Sequence, residues 1–271
     1  MQFLQSALSQ TAPFTIGICF AVFGSAHAED TGADEESILE LTLGGGLGYE
    51  PDYEGSDDYE LSLIPHAELS LYGGLASLSI GGLEAALPIG DHVFIGAGLG
   101  YDDGRDDDEN IALNGLGDVD GTWIGSIGAG LALDPFSLAL ILNHDLGDSH
   151  EGYTVDLEAG YEIELIEDQV KLELGTNTTW ASANYNEAYF GISASQAAAS
   201  GLGQFDADAG FKSAGIGIGA GYALTDYAYL ELELGYSRLL GDAADSPIVD
   251  DLGDPNQFSA GLILALQFGL L

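Results

Sequence analysis

The chain has 271 residues, and its 45 Asp and Glu against 4 Lys and Arg give a formal net charge of −41. Nucleic acid is not expected as a partner, because phosphate binding needs clustered basic side chains. Such acidity often accompanies disorder, but 46% hydrophobic residues in regular alternation predict a folded chain. The 40 glycines follow no three-residue period, which excludes a collagen-like fibre.

Residues 1–28 are predicted to be a secretory signal peptide. This segment contains no Asp, Glu, Lys or Arg, has an apolar run over 14–23, and ends at 26–28 in the cleavage pattern A-x-A. The run is too short to cross a membrane as a helix, so an N-terminal anchor is disfavoured. Cys19, the one cysteine, lies inside this segment, so the mature chain would have no thiol for disulfides or zinc. Residues 29–271 show no Pro-rich or Ser-rich linker, and one domain is expected.

Residues 153–165 show the pattern that decides the fold class. Apolar side chains from Tyr153 to Leu165 take every second position, and acidic ones such as Glu158 and Glu162 fall between them. A helix would scatter these carboxylates around its axis, whereas a strand directs all of them to one face. Because the pattern recurs along most of the chain, an all-β fold is predicted, an antiparallel up-and-down transmembrane β-barrel.

Twelve strands are predicted in chain order. Outgoing strands cover 38–49, 75–80, 92–101, 136–145, 169–180 and 228–238, and return strands cover 59–71, 83–87, 121–133, 153–165, 210–223 and 257–268. The segments 75–80 and 83–87 are shorter than a usual crossing and depend on a tight turn at Gly81 and Gly82. Ten strands is the alternative if this region does not form two strands.

The connections between these strands alternate in length. Short turns fall at 72–74, 88–91, 134–135, 166–168 and 225–226, and longer Asp-, Gly- or Ser-rich connections at 50–58, 102–120, 146–152, 181–209 and 240–256. Outer-membrane barrels have short periplasmic turns and longer outside loops, so the long connections are predicted to face outside. No amphipathic helix of useful length is predicted except in one loop.

Aromatic side chains cluster near the predicted strand ends. Such rings suit the bilayer interface, where one end of the side chain is in oil and the other in water. Tyr also favours strands in general, so only the collective placement is informative. The cluster comprises Tyr49, Tyr59, Tyr101, Tyr153, Trp180, Tyr222 and Tyr236.

The connection at 102–120 carries the densest acidic run. Hard oxygen ligands in a flexible loop suit Ca²⁺ or Mg²⁺, which makes these side chains candidate metal ligands. The run does not match the EF-hand pattern, and charge runs are commonly only solvated, so both interpretations stay open. No other cofactor is predicted. The candidates are Asp102, Asp103, Asp106, Asp107, Asp108, Glu109, Asp118 and Asp120.

A second acidic group is predicted to face the barrel interior. Clustered carboxylates repel one another unless counter-ions enter a hydrated lumen or some groups stay protonated. Lys171 opposes them almost alone, so any conductance is predicted to prefer cations. The group comprises Glu40, Glu60, Glu68, Asp156, Glu158, Glu162, Glu164, Glu173 and Glu231.

Arg238 is one of only four basic residues and lies close in sequence to Asp242 and Asp245. Arginine suits bidentate contacts with carboxylates, so an ion-pair latch that folds this loop inward is predicted. The alternative is a strand-end arginine at the membrane interface.

Two other classes of protein fit parts of the sequence. His144 and His150 flank Asp145 and Ser149, which supplies the residue types of a catalytic triad. Triads depend on spatial geometry rather than on sequence proximity, so an enzyme is not expected. A soluble lipid carrier with its apolar face turned inward would show the same alternation. The signal, the loop asymmetry and the strand number favour the membrane barrel.

Several strings resemble the MipA/OmpV family of outer-membrane proteins, in the same order along the chain. They are GYEPDYEGSD at 48–57, GLGYDDGR at 98–105, GLGDVD at 115–120, YFGIS at 189–193, ASGL at 199–202 and RLLGDAADSPI at 238–248. These strings lie wholly or partly in the predicted outside connections. Strand periodicity and family resemblance therefore draw on mostly separate residues.

The resemblance implies an outer-membrane β-barrel surrounded by membrane lipid and lipopolysaccharide. For the founding member of the family it implies a scaffold that links a lytic murein transglycosylase to a murein synthase. A structural or scaffolding role in the cell envelope is therefore expected, with those two enzymes as candidate partners. A small-solute channel that prefers cations is the alternative.

Overall fold

A computed structural model describes residues 38–147 and 149–270, which form one closed antiparallel barrel. Its strands are β1 (Leu39–Pro51), β2 (Tyr59–Leu71), β3 (Ala76–Ser79), β4 (Gly82–Ile89), β5 (Val93–Asp102), β6 (Thr122–Leu133), β7 (Phe136–Asp145), β8 (Tyr153–Ile166), β9 (Val170–Ala181), β10 (Gly210–Thr225), β11 (Ala228–Leu239) and β12 (Asn256–Gly269). Each strand pairs with its neighbours in chain order, and β12 pairs with β1 to close the barrel. The predicted twelve-stranded up-and-down barrel is confirmed. The predicted signal peptide, residues 1–28, lies outside the described residues.

The barrel wall has an apolar outer face and a largely polar inner face, which also carries an apolar cluster of Ile64, Tyr229, Ile263 and Ala265. On β11, Leu232 and Leu234 face outward and are 42% and 48% exposed, whereas Glu231 between the apolar positions faces inward and is 6% exposed. A soluble lipid carrier would turn its apolar face inward, so the observed orientation is the opposite of the one expected for such a carrier. In the described ranges, no helix is long and apolar enough to traverse a bilayer.

The shortest strands, β3 and β4, continue the ladder between β2 and β5. Gly82 begins β4 with a φ of +151°, and a Cβ there would overlap the carbonyl oxygen of Leu99. Only glycine fits this close approach of two strands. The turn predicted at Gly81 and Gly82 is present, and the ten-strand alternative is wrong.

Aromatic rings form a girdle around one end of the barrel, the end that carries the long loops. Four ring pairs join adjacent strands, at centroid distances between 5.0 and 5.7 Å: Tyr49 with Tyr59, Tyr101 with Trp123, Tyr153 with Trp180, and Tyr236 with Phe258. Aromatic girdles mark the interface between hydrocarbon and water in membrane barrels. Tyr222 lies toward the opposite end, beside Gln169.

Leu232→Arg should lower the free energy of unfolding by about 2–4 kcal/mol, because an arginine on the lipid face near the bilayer midplane is desolvated. Leu232 pairs with Ala220 and Leu262 in the middle of the wall. Tyr236→Arg, on the same face of β11 but in the girdle, should cost about 0–1 kcal/mol. Urea unfolding in lipid vesicles measures both values, and equal costs for the two variants would contradict the assigned bilayer depth.

Candidate functional site

Six connections lie at the girdle end, and all except the two-residue L2 are long. They are L1 (52–58), L2 (80–81), L3 (103–121), L4 (146–152), L5 (182–209) and L6 (240–255). L5 contains α1 (Ala183–Phe190) and α2 (Ala194–Ser200), L6 contains α3 (Gly241–Asp245) and α4 (Pro247–Asp250), and L3 contains a 3₁₀ turn at Ile111–Leu113. The sequence predicted helix in no more than one loop, so the helices of L6 were missed.

Serines begin three of these helices. The Ser182 hydroxyl accepts from the Tyr185 N–H at the start of α1, and Ser193 forms a capping box with Gln196 at the start of α2. Ser246 accepts from the Ile248 N–H at the start of α4. In the sequence these serines resemble ordinary loop residues, but in the structure they cap helices.

Side chains from L1, L3, L5 and L6 share an apolar core, and we call these four loops the loop cap. Phe205 of L5 packs against both clusters of this core and joins them. Burial this complete is what a domain interior shows, and surface loops rarely reach it. The largest buried side chains, each at most 2% exposed, are Tyr53, Leu113, Leu116, Phe190, Ile192, Leu239, Ile248 and Val249.

The loop cap is bonded to the inner wall of the barrel at separate places. Gln257 on β12 accepts from the Gly55 N–H at 3.0 Å and donates to the Ser56 carbonyl at 3.1 Å. The Tyr189 hydroxyl donates to Asp102 on β5 at 3.2 Å. Leu239, at the end of β11, belongs to the cap core. Because these strands lie around the circumference, the cap spans the mouth of the barrel.

A buried ion pair connects β10 to the loop cap. The Lys212 ammonium lies 2.7 Å from a Glu54 carboxylate oxygen, and both side chains are nearly buried at 12% and 13% exposure. The same ammonium lies 4.9 Å from the centre of the Tyr185 ring. L1, L5 and the barrel wall therefore meet at Lys212.

Arg105 joins L3 to L5. It is 3% exposed, and its guanidinium donates to the Tyr189 carbonyl at 2.6 Å. Its backbone exchanges two hydrogen bonds with Val119, which closes L3 into a hairpin. Burial lowers the pKa of Arg105, yet an arginine keeps its charge under any ordinary condition. Burial also raises the pKa of Tyr189, so its hydroxyl stays a donor.

His150 in L4 packs beneath α1. Its ring centre lies 5.4 Å from that of Tyr185 and 5.8 Å from that of Tyr189. The Nδ1 atom accepts from the Gly152 N–H at 3.0 Å, which requires the neutral ring with its proton on Nε2. Burial lowers the pKa of His150 below its ordinary value of 6.5, despite the carboxylate of Asp145 at 3.7 Å.

Acid should loosen the contact between L4 and the loop cap. Because the folded His150 has the lower pKa, the unfolded loop binds a proton more readily, and stability falls as the pH drops from about 6.5 toward the folded value. Amide hydrogen exchange in L4 and α1, corrected for the intrinsic pH effect, should be several-fold faster at about pH 5 than at about pH 7.5. His150→Asn should remove this dependence. An unchanged pH dependence in His150→Asn would assign it to other groups.

The structure disperses the predicted metal ligands of L3. Asp102 faces inward and accepts from Gly104 and Tyr189, while Asp118 accepts from the Asp107 N–H. The side chains of Asp103, Asp106, Asp108, Glu109 and Asp120 are exposed. Over residues 38–147 and 149–270, no group of three or more His, Cys, Asp or Glu is arranged to hold a metal ion. Ca²⁺ or Mg²⁺ binding stays a prediction, for which thermal unfolding with calcium and with chelator is the test.

Arg238 does not form the predicted latch. Its guanidinium donates to the Asn256 side chain at 2.6 Å, and Asp242 accepts from the Asp208 N–H instead. The physical reason is strand alternation. Arg238 shares the outward face with Tyr236, whereas α3 folds over the inside and buries Ala243 completely. Asp245 is exposed, so the placement matches the strand-end arginine.

Strand alternation also separates the residues that were considered for a catalytic triad. His144 faces outward on β7, and His150 lies inside under α1. The Ser149 hydroxyl donates to the Asp120 carbonyl. The Asp145 carboxylate accepts from Thr122 and from the N–H groups of L4, which makes it a structural anchor for that loop.

The inner carboxylates fall into two groups. Nearer the cap, Asp156 accepts from Thr179 at 2.5 Å and from Asn143 at 2.7 Å. Glu158 faces inward on the same strand, aligned with Asn177. These side chains form a polar layer beneath the cap. The sequence did not indicate this layer, because the side chains that compose it come from three strands.

The second group lies nearer the short turns. Glu40 accepts from Gln267, Glu162 pairs with Lys171 at 3.2 Å, and Glu164 accepts from the Asp168 N–H at 2.9 Å. Glu173 and Glu231 share this region with Glu233, which the candidate set omitted although the same alternation in β11 includes it. Glu60 lies at the loop end of β2, and Glu68 toward its turn end accepts from Ser70.

An apolar outer belt, an aromatic girdle, short turns at one end and long loops at the other define a transmembrane β-barrel of the outer-membrane class. The family model described as MltA-interacting protein MipA matches residues 43–268, so the chain belongs to the MipA family. In such barrels the long loops face outside and the short turns face the periplasm.

Two curated relatives are outer-membrane proteins. The chain is 27% identical over 179 residues to outer membrane protein OmpV of Vibrio cholerae, and 26% identical over 178 residues to outer membrane protein Omp26La of Vibrio anguillarum. Each match covers 64% of this chain and 63% of the relative, so the chain spans less than two thirds of their length. The protein is located in the outer membrane.

Solved structures with a similar backbone are also outer-membrane barrels. They include OmpT of Vibrio cholerae, at 8% identity and a TM-score of 0.40, covering 87% of this chain and 99% of that one. An outer-membrane channel from Pseudomonas putida F1 has 13% identity and a TM-score of 0.41, covering 89% of this chain and 98% of that one. These likenesses are too distant to add to the fold described above.

Proposed function

We propose that the protein has a structural and scaffolding role in the cell envelope, with its outer mouth closed. The observation that carries this proposal is the buried core of the loop cap, in which Phe190 and Val249 are 0% exposed. A pore that is open at rest needs polar, hydrated loops around its mouth, and apolar side chains from four loops meet here instead. A closed barrel leaves its two ends as binding surfaces.

The scaffold connects the membrane to murein enzymes on its periplasmic side. The family description names an interaction with MltA, and we extend to this chain the two partners expected from the resemblance, a murein transglycosylase and a murein synthase. The short turns, at 72–75, 90–92, 134–135, 167–169 and 226–227, are the parts of the barrel nearest to them. Membrane lipid and lipopolysaccharide surround the wall.

Affinity capture from chemically cross-linked envelopes tests the scaffold. Murein enzymes should be recovered with the wild-type protein and lost when the β8–β9 turn is altered by Glu167→Gln and Asp168→Asn. Ile111→Ala, in the outer loop L3, is the matched control and should recover them in full. Envelopes in which no murein enzyme cross-links to the protein would contradict the proposal.

A second candidate function is the passage of small cations through a cap that opens. The observation that favours it is the inner face, which carries Glu173, Glu231 and Glu233 with Lys171 as the neighbouring cation. Planar-bilayer recordings should show little current with the cap closed and cation-selective current after the cap core is disrupted. Anion selectivity would exclude this function.

A further inference from the structure

We propose that the periplasmic half of the barrel interior binds a linear polyamine through Glu173, Glu231 and Glu233. This inference does not depend on whether the barrel conducts or which protein it binds. Glu173 on β9 and Glu233 on β11 both align with Gly219 on the strand between them. Adjacent strands are about 4.8 Å apart, so the two backbones are about 10 Å apart across a strip without a side chain.

Glu231 extends this group along β11. It aligns with Gly221, two residues from Gly219, and Lys171 of β9 aligns with the same glycine from the other side. Two residues along a strand correspond to about 7 Å. The three glutamates therefore border one glycine-floored groove, and Glu231 also interacts electrostatically with Glu173.

The second observation is a buried carboxylate oxygen that lacks a partner. Glu231 is 6% exposed, and in the described part of the chain its Oε2 accepts no hydrogen bond. A buried carboxylate without donors or counter-charge is costly, because desolvation penalises its ionised form. A ligand that brings N–H donors and positive charge removes that cost.

The protein itself supplies no spare cation for this groove. The four basic side chains of the whole chain have other places: Lys212 and Arg105 in the cap, Arg238 on the outer face, and Lys171 in its pair with Glu162. Lys171 lies near Glu173 and aligns with Gly221 opposite Glu231, but its ammonium is 3.2 Å from Glu162. The positive charge that would balance these three glutamates in their ionised form therefore comes from outside the chain.

The spacing of the carboxylates selects the kind of cation. A bare divalent ion needs several oxygens at about 2.0–2.6 Å, and no such group occurs within the described residues. Ammonium groups joined by propyl and butyl spacers can each reach a different carboxylate along the groove. Each contact is then a charge-assisted hydrogen bond between an ammonium N–H and a carboxylate oxygen.

The groove is reached from the periplasm. Glu162, on the neighbouring strand β8, keeps 49% of its side chain exposed, and Glu164 one step nearer the turn is also exposed. Toward the outside, the core of the loop cap lies over the mouth of the barrel. Exposure falls from Glu162 to the buried Glu231, so we expect a cation to enter from the end of the barrel with the short turns.

Calorimetric titration of the full chain, folded in detergent micelles, with spermidine tests the proposal. The triple variant Glu173→Gln, Glu231→Gln, Glu233→Gln should bind spermidine at least about tenfold more weakly than the wild type. The matched control removes the same number of charges from the periplasmic turns by Glu167→Gln, Asp168→Asn and Asp226→Asn. It should keep the affinity within about twofold. Migration on unheated gels verifies that every variant is folded.

Gly219→Lys is a second, independent variant. It adds an ammonium to the floor of the groove, where a Cβ would meet the Glu173 Cβ at an ordinary 3.6 Å. This internal cation should abolish spermidine binding while the barrel stays folded. Wild-type affinity in Gly219→Lys, or an equal loss of affinity in the triple variant and its matched control, would overturn the proposal. Failure of the wild type to bind spermidine would overturn it directly.

Discussion

Phe190→Ala is expected to open the loop cap while the barrel stays closed. Phe190 is 0% exposed and packs in the cluster that joins L3, L5 and L6. Removing a fully buried phenylalanine side chain costs about 3–5 kcal/mol. The lost contacts lie in the cap and leave the strand ladder unchanged, so the loss should appear as local opening. Cleavage of L5 by subtilisin should accelerate by on the order of a hundredfold or more.

Ile111→Ala is the control for this variant. Ile111 lies in L3 but is 85% exposed, so its truncation should change stability by no more than about 0.5 kcal/mol. Both variants should keep the compact migration of a folded barrel on unheated gels. If Phe190→Ala unfolded the barrel together with the cap, the two would form one cooperative unit. The same rate of cleavage in wild type and Phe190→Ala would show that the core does not hold the cap.

Lys212→Met should destabilise the cap by about 3–5 kcal/mol. The cause is Glu54, whose carboxylate would remain nearly buried after losing the ammonium at 2.7 Å. Truncating one partner of a buried pair leaves an uncompensated charge, and this costs more than the pair contributes. Protease cleavage in L1 and L5 should therefore accelerate strongly.

The double variant Lys212→Met, Glu54→Gln separates the charge from the packing. With both charges removed, most of the stability should return, because a neutral pair carries no uncompensated charge. Salt should alter the wild-type cap little, since buried pairs are screened weakly. Equal cleavage rates in the single and the double variant would refute the explanation based on Glu54.

The strands could be predicted because their physical cause repeats every two residues. In β8, the membrane requires apolar side chains such as Leu157 on the outer face and permits carboxylates such as Glu158 on the inner face. The position of a residue in the strand therefore determines which face it occupies. The predicted strands 59–71 and 136–145 coincide with β2 and β7 in the structure. Even the short β3 and β4 were indicated by the adjacent glycines.

The loop cap could not be predicted in this way. Tyr53, Phe190 and Ile248 lie far apart in the sequence and within segments rich in Asp, Gly and Ser. Their common core depends on the barrel, which brings the loop ends together at one rim. No local period reports such tertiary contacts.

A predicted site residue was placed correctly only where strand alternation alone determines its position. Arg238 and Asp242 are close in sequence but do not meet. Arg238 points outward at the end of β11 and donates to Asn256, whereas Asp242 lies in α3 and accepts from the Asp208 N–H. The pair that does bridge the cap, Lys212 and Glu54, is separated by 158 positions. Inward-facing carboxylates were predictable from alternation, whereas their hydrogen-bond partners on other strands were not.

The way the loop cap is assembled has a consequence for recognition at the cell surface. An antibody that binds the intact cap contacts pieces of several loops held side by side, so its epitope is discontinuous. Heating or excision of one loop as a peptide would disperse that epitope. Immunisation with the refolded barrel should therefore yield sera that label living cells, and immunisation with linear loop peptides should not.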